Sequence, residues 1–225
     1  KVPLVFAHGL FGFDQLALGP KSMPLIFNYW RGITEVLKER GTEVLVARVP
    51  ASASIQERAE ALRDVIERHF GGREINLIGH SMGGLDSRYL ISRLETSFTV
   101  KSLTTIATPH RGSPFADYML QQVIGKDNIP SLLSLVRAVG IPGGGKAFEQ
   151  LQLADMAKFN EEVSGGACCA RRCADSTAGF LSEFRIPHGI IFAQEGPNDG
   201  LVSCSSAEWG EYRGTLAANH LELIG

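Results

Sequence analysis

Ile75-Asn76-Leu77-Ile78-Gly79-His80-Ser81-Met82-Gly83-Gly84 is the stretch on which the reading of this chain turns. The apolar run Ile75–Ile78 has the length and composition of a buried strand, and it leads straight into a G-x-S-x-G turn. Downstream, Leu85, Tyr89 and Leu90 recur at helical spacing. Strand, tight turn and helix in this order hold the central serine in a strained conformation, its hydroxyl at the mouth of a pocket. Gly79 and Gly83 keep Cβ atoms out of the crowded space where strand and helix approach each other. The five-residue pattern alone is common by chance, and the flanking elements give it weight. Ser81 is therefore the candidate nucleophile.

Outward from this turn the chain alternates strands and helices, which implies an α/β fold with a mostly parallel central sheet covered on both faces. Strands are expected at 2–7, 43–49, 75–78, 100–107 and 186–193. Helices are expected at 26–40, closed by Gly41, and at 54–70, where Ser54 and Glu57 have the spacing of a capping box. Residues 113–160 interrupt the alternation. Met119, Leu120, Val123 and Ile124 make one apolar stripe, Leu132, Leu133, Leu135, Val136 and Val139 another, and 140–145 is mostly glycine. A helical insertion at the carboxyl edge of such a sheet sits over the ligand crevice and reads as a lid. A fixed helical cap is the plainer alternative. No repeat or linker divides the chain, so 1–225 is read as one domain carrying this insertion.

Composition sets the outer bounds. The 225 residues are 44% apolar and 20% charged with a net charge of −2, which fits a globular domain and gives no support to a nucleic-acid partner. No apolar stretch approaches the ~18 residues that would cross a bilayer. The N-terminus reads as a strand rather than a leader peptide, as a chain with its leader removed also would. Cys168, Cys169, Cys173 and Cys204 lack the paired spacing of a zinc site. One or two disulfides are expected, with Cys204 and the 165–173 segment as candidate partners; free thiols are the alternative.

A serine hydroxyl needs a base, and the base needs a group that orients it. On this scaffold the chain order is serine, acid, histidine. His110, His188 and His220 follow Ser81, and position favours His220 as the base. Asp199, in the turn Gly196-Pro197-Asn198-Asp199-Gly200, is the candidate acid. Glu195 is its nearest competitor, and a plain turn aspartate is the bland reading. The oxyanion hole needs two backbone N–H groups. Met82, after the nucleophile, supplies one, and Leu10, in the loop His8-Gly9-Leu10-Phe11-Gly12, the other. His80 is read as a packing residue, Arg111 and Asp14 as loop hydrogen-bonders, and Phe27, Tyr29 and Trp30 as core or pocket wall.

Taken together, His8-Gly9-Leu10-Phe11-Gly12-Phe13-Asp14, Gly79–Gly84, Thr108-Pro109-His110-Arg111-Gly112-Ser113, Asn198–Ser203 and Asn219-His220-Leu221 resemble triacylglycerol lipases of the α/β-hydrolase fold, of the bacterial true-lipase type and its fungal relatives. The blocks span nearly the whole chain. The resemblance implies a carboxylic-ester hydrolase acting on long-chain acylglycerols, with Ser81, Asp199 and His220 as triad and Leu10 and Met82 as oxyanion donors. It also implies a lid after Ser113 that meets a lipid–water interface. No organic cofactor is expected. Calcium, which many members bind near the histidine, is left without a ligand set, because Glu222 stands where they carry aspartate. The resemblance leans towards secretion and leaves a cytosolic enzyme open. Rival readings are a short-chain carboxylesterase, phospholipase, thioesterase or acyltransferase on the same triad, and a non-catalytic binding module that kept the fold.

Overall fold

A computed structural model of the chain describes residues 1–10, 15–18, 25–51, 53–120, 146–163, 169–176 and 184–225, with backbone alone at 15–18, 25–28 and 169–172. Its centre is a six-stranded sheet in the order β4-β1-β5-β6-β7-β8, every neighbouring pair parallel. The strands are β1 (Leu4–Ala7), β4 (Val44–Ala47), β5 (Glu74–His80), β6 (Thr99–Ile106), β7 (Cys169–Asp175) and β8 (Glu211–Ala217). Two further strands, β2 (Gln15–Leu18) and β3 (Leu25–Asn28), pair antiparallel in a ribbon of their own.

The alternation of side chains along β1 shows how both faces are covered. Val5 and Ala7 join Ile75, Leu77 and Leu103 in a core closed by Ala59, Leu62, Ile66 and Phe70 of helix α2 (Ile55–Phe70) and Leu90 of α3 (Met82–Arg93). Leu4 and Phe6 face the other way, with Ile78, onto Tyr29, Trp30 and Leu37 of α1 (Ile33–Glu39). This period of two is what a parallel strand buried on both faces requires. Each fully buried aliphatic or aromatic side chain contributes roughly 1.5–3 kcal/mol.

The capping box at the start of α2 is formed: the Ser54 hydroxyl accepts from the Glu57 N–H at 3.2 Å, and the Glu57 carboxylate accepts from the Ser54 N–H at 2.9 Å. Gly41 ends α1 with φ +71°, its N–H bonded to the Lys38 carbonyl and that of Thr42 to Leu37. That is the left-handed closure a C-terminal glycine makes possible.

Two elements differ from the sequence expectation. The predicted helix over 26–40 begins only at Ile33; Leu25–Asn28 is β3, and Gly32 at φ +77° breaks the path between them. The predicted strand over 186–193 is a helix, α7 (Arg185–Glu195). Pro187 lies in its first turn, where a missing N–H costs nothing, and Pro187 and Ile191 are buried four residues apart on one face. Ile186 and Phe192 are left exposed, so the apolar run covers the helix on both sides and hides its period. The strand that the sheet needs here is β7, in the cysteine segment.

Within the insertion, α4 (Pro114–Tyr118), α5 (Lys146–Gln150) and α6 (Leu153–Glu162) are described. Val123, Ile124, the 132–139 stripe and the 140–145 glycines lie outside the described residues, as do Cys168 and Asp14. Leu120, from the first stripe, is buried. Cys173 and Cys204 are separate thiols in contact, so the expected disulfide is not formed between them. The Cys173 Sγ lies 2.9 Å from the Thr215 Oγ1, and burial, with the Cys173 thiol beside it, pushes the Cys204 thiol up to about 12. Among the described residues, no helix is long and apolar enough to cross a membrane.

The cap of α2 gives a first test. Ser54→Ala should lower stability by about 1 kcal/mol, read as a fall of roughly 2–4 °C in Tm for a chain of this size.

Candidate active site

The strand order reverses between β1 and β5: the chain leaves β1 for β4 on one side and returns to β5 on the other. A crevice at the carboxyl ends of the strands opens at such a reversal, and ligands bind there in α/β sheets. Here β1 delivers His8-Gly9-Leu10 and β5 delivers Ser81, in register through the Ala7–Gly79 pair.

Ser81 has φ 53° and ψ −131°, a conformation that costs a non-glycine residue on the order of 1–3 kcal/mol. It is held by its N–H, which donates to the Ile106 carbonyl of β6 at 2.9 Å, and by the start of α3 immediately behind it. A Cβ at Gly83 would lie 2.3 Å from the Ala7 carbonyl oxygen, and one at Gly9 would lie 2.7 Å from the Ser81 Cβ. Both glycines are therefore required by the close approach of backbone to backbone and of loop to nucleophile.

Asp199 and His220 come together. The His220 Nδ1 lies 2.7 Å from the Asp199 Oδ2, and the His220 N–H donates to the Asp199 carbonyl at 2.9 Å. The other carboxylate oxygen, Oδ1, accepts from the N–H groups of Leu201 and Val202 at 3.0 and 2.8 Å. Both side chains are almost wholly buried. With Nδ1 donating to the carboxylate, the network assigns Nε2 as the unprotonated, acceptor nitrogen. The Asp199 loop follows α7, and the Ser176 N–H at the end of β7 bonds to the Asn198 carbonyl, tying that loop to the carboxyl edge of the sheet. His220 follows β8 on the same edge. The competitor Glu195 instead accepts from the Ser203 hydroxyl within the Asp199 loop.

Ser81 and His220 line one cavity of about 590 Å³, together with Leu10 and Tyr29. Its remaining wall is overwhelmingly apolar: Phe115 and Ala116 of α4, Phe148 of α5, Leu151, Phe184, Val202, Leu221 and Ile224. A cavity of this size with a few converging polar groups has the character of a small-molecule site. Met82 is the first residue of α3, where backbone N–H groups have no partner within the helix. Among the described residues no cluster of three or more His, Cys, Asp or Glu is arranged to hold a metal, and Glu222 accepts from the Asn219 N–H at 2.8 Å.

His80 is fully buried, its Nδ1 2.7 Å from the Tyr29 hydroxyl and its ring centroid 4.6 Å from that of His220. Burial, reinforced by His220, holds its pKa well below the ordinary histidine value, so it stays neutral beside the site. Arg111 bonds the Ser205 carbonyl, as a loop hydrogen-bonder would. Tyr29 and Trp30 are buried, and Tyr29 forms part of the cavity wall.

Other polar residues at the site had no sequence signal. Arg88 of α3 bonds Asn160 and the Val163 carbonyl at 2.9 Å each, fastening the end of α6 to the helix that follows Ser81. Arg58 of α2 and Asp86 of α3 form a wholly buried ion pair at 2.8 Å. Each lies on a helix face that reads as apolar, and the partners come from elsewhere in the chain.

Comparison with known proteins places this geometry. Triacylglycerol lipase 2 of Saccharomyces cerevisiae is 34% identical over the whole of this chain and 80% of its own length. The chain belongs to the triacylglycerol lipase family. A triacylglycerol lipase of Vibrio cholerae is 33% identical with the same coverage of both chains. Residues 50–145 also match the family profile described as a PGAP1-like alpha/beta domain. Among solved structures, a mature Bacillus licheniformis lipase superposes with a TM-score of 0.75 at 21% identity, covering all of this chain and 86% of that one. The Staphylococcus hyicus lipase gives 0.72 at 18% identity, over all of this chain and 89% of its own. These neighbours establish the α/β-hydrolase fold, and family membership makes the chain a serine ester hydrolase, a chemistry that requires no organic cofactor.

Two outcomes follow from the site's packing. Gly9→Ala should lower kcat by roughly 10- to 100-fold and cost about 1–3 kcal/mol of stability, because the new methyl must push Ser81 or the loop aside. Ester hydrolysis and thermal melts on the same sample check this. The second concerns pH. His80 remains neutral in the folded protein while the unfolded chain takes up a proton below about 6.5, so stability falls as pH drops through that value, by at most about 1.4 kcal/mol per pH unit. Asp86, raised to about 6, gives the opposite slope between about 4 and 6. The difference in Tm between wild type and His80→Gln across pH 5–7.5 isolates the histidine: it should narrow towards low pH.

Proposed function

We propose that the chain hydrolyses long-chain acylglycerols, with Ser81 as nucleophile, His220 as base and then acid, and Asp199 as the residue that orients it. The observation that carries this reading is the buried Asp199–His220 hydrogen bond, set in the wall of an apolar cavity that also holds the strained Ser81. The Ser81 hydroxyl attacks the ester carbonyl as its proton passes to the His220 Nε2. Asp199 stabilises the resulting imidazolium without taking the proton. The carbonyl oxygen, now negative, is met by the N–H groups of Leu10 and Met82. His220 returns the proton to the departing alcohol, and water activated by the same histidine releases the fatty acid from Ser81.

The cavity wall supports the long-chain substrate. Phe115, Phe148, Leu151 and Ile224 offer an acyl chain apolar surface and few competing hydrogen bonds. We assign the lid role to the 113–160 insertion, because α4 and α5 supply part of that wall and would uncover apolar surface on moving. Leu221 lines the cavity and is half exposed, which gives the rim an apolar contact for a lipid–water interface.

Hydrolysis of p-nitrophenyl esters from C2 to C16 and of emulsified triolein tests the reading. Wild type should prefer chains of C12 and longer and release oleate. Ser81→Ala and Asp199→Asn should each lose on the order of 10⁴-fold in kcat or more. Activity confined to C2–C4 would retain the esterase and exclude the lipase.

A further inference from the structure

The loop assigned above as an oxyanion donor is gripped from behind by a charged pair to which the triad gives no task. We propose that Arg58 and Asp86 are positioning residues for the oxyanion hole: their ion pair fixes the Gly9–Leu10 peptide so that the Leu10 N–H faces the reacting carbonyl. The proposal rests on the serine-hydrolase reading and on Leu10 as a donor.

The contacts are specific. The Arg58 Nη2 donates to the His8 carbonyl at 2.7 Å and to the Gly9 carbonyl at 3.4 Å, and Nη1 donates to the Pro50 carbonyl at 2.8 Å. Nε and Nη2 both reach the Asp86 Oδ2, at 2.9 and 2.8 Å. The His8 Nδ1 lies 2.9 Å from the same Gly9 oxygen.

Peptide geometry converts these contacts into directions. In a trans peptide the C=O of one residue and the N–H of the next point opposite ways, and the described residues contain no cis bond. The His8 carbonyl faces Arg58, so the Gly9 N–H must face away; it does, donating to the Tyr29 hydroxyl at 2.9 Å. By the same argument the Gly9 carbonyl, drawn towards His8 and Arg58, turns the Leu10 N–H to the other side. That side is the cavity, whose wall Leu10 shares with Ser81. Glycine permits the peptide after it to flip at little steric cost. A flipped peptide would put a carbonyl oxygen where the oxyanion forms, and the guanidinium opposes it.

Asp86 completes the arrangement. It lies one turn after Met82 on α3, so the ion pair links the loop bearing one donor to the helix bearing the other. As a source of stability alone the pair is a poor choice. The Asp86 Oδ1 has no hydrogen-bond partner, burial raises the carboxyl to about 6 despite the arginine, and apolar replacements for buried ion pairs are often neutral or stabilising. What apolar side chains cannot supply is a planar fork that engages the His8, Gly9 and Pro50 carbonyls and a carboxylate at once.

The test compares wild type, Arg58→Lys, Asp86→Asn and the double variant Arg58→Met/Asp86→Leu. Each is assayed for kcat and KM on p-nitrophenyl butyrate, for Ki of phenylboronic acid, for Tm, and for end-point labelling of Ser81 by an organophosphonate. Asp86→Asn keeps the shape of the side chain and is the variant least prone to misfold. The single variants should label fully, lose about 10- to 1,000-fold in kcat and leave KM within about threefold, as loss of a contact made only in the transition state requires. Boronate affinity, which reports the tetrahedral adduct, should weaken with kcat/KM. The double variant should regain Tm but not kcat. Recovery of kcat together with Tm, or unchanged kcat in folded Asp86→Asn, would overturn the proposal and leave the pair a packing feature. Failure of wild type to label at Ser81 would sink the nucleophile assignment first, and this proposal with it.

Discussion

The approach of the Ser81 turn to the end of β1 governs the rest of the site. Any side chain at Gly83 would run into the Ala7 carbonyl, and any at Gly9 into Ser81 itself. This closeness is what carries Ser81, the first turn of α3 and the His8–Leu10 loop into one small volume. It holds Ser81 at positive φ, a strain of about 1–3 kcal/mol. The buried apolar contacts of Val5, Ala7, Ile75, Leu77 and Leu90 around it are large enough to offset that strain several times over. The parallel pairing of β1 with β5, and the reversal of strand order between them, serve this approach by opening the crevice at the same edge.

Around that point the molecule buries Arg58, His80, Asp86, Asp199 and His220, and each is bonded differently. The Asp199 carboxylate is saturated: two backbone N–H groups hold one oxygen and His220 the other. A carboxylate so held cannot rotate, and it fixes the imidazole tautomer that leaves Nε2 able to accept a proton. His80, its ring tilted against that of His220, is kept neutral by burial, so it adds no positive charge beside that ring. The Arg58–Asp86 pair carries charge and leaves one oxygen unmet, which fits a geometric task better than a stabilising one. In a low-dielectric interior each of these contacts is stronger than it would be in water, and each is costly if broken.

The wall of the cavity beside Ser81 and His220 is mostly apolar. In the mechanism proposed, the serine hydroxyl attacks, the histidine takes its proton and the backbone amides meet the oxyanion, and none of the three distinguishes one acyl group from another. Under the proposed function, selectivity would fall to the phenylalanines and leucines of the wall, which come from α4, α5 and the loops around α7 and after β8. Arg88 and Asn160 fasten the end of α6 to α3, so the insertion has a fixed base beside the nucleophile helix. The cavity wall is thus built partly from separate short helices, α4 and α5, beside a triad held by buried hydrogen bonds.

Much of this was legible in the amino-acid sequence. The Ile75–Gly83 run defines strand and turn, the Ser54–Glu57 spacing defines a helix start, and the order of Ser81, Asp199 and His220 along the chain left few candidates for each role. These signals are local: glycines, caps and apolar periods act over a handful of residues, so a linear reading captures them. The tertiary structure alone decided the rest. Residues 185–195 form a helix because only one face, with Pro187 and Ile191, meets the core, and an apolar run does not say which of its members will be buried. β7 and β8 carry charged and polar residues, since β8 lies at the sheet edge and is mostly exposed, and they take their identity from the pairing of one with the other. Arg58 and Asp86 stand 28 positions apart in helical faces, and neither has a reason to be there until the fold brings the guanidinium against the carbonyls of His8 and Gly9. Short-range sterics write the nucleophile turn into the chain; buried electrostatics, which depend on partners distant in sequence, exist only once the chain has closed.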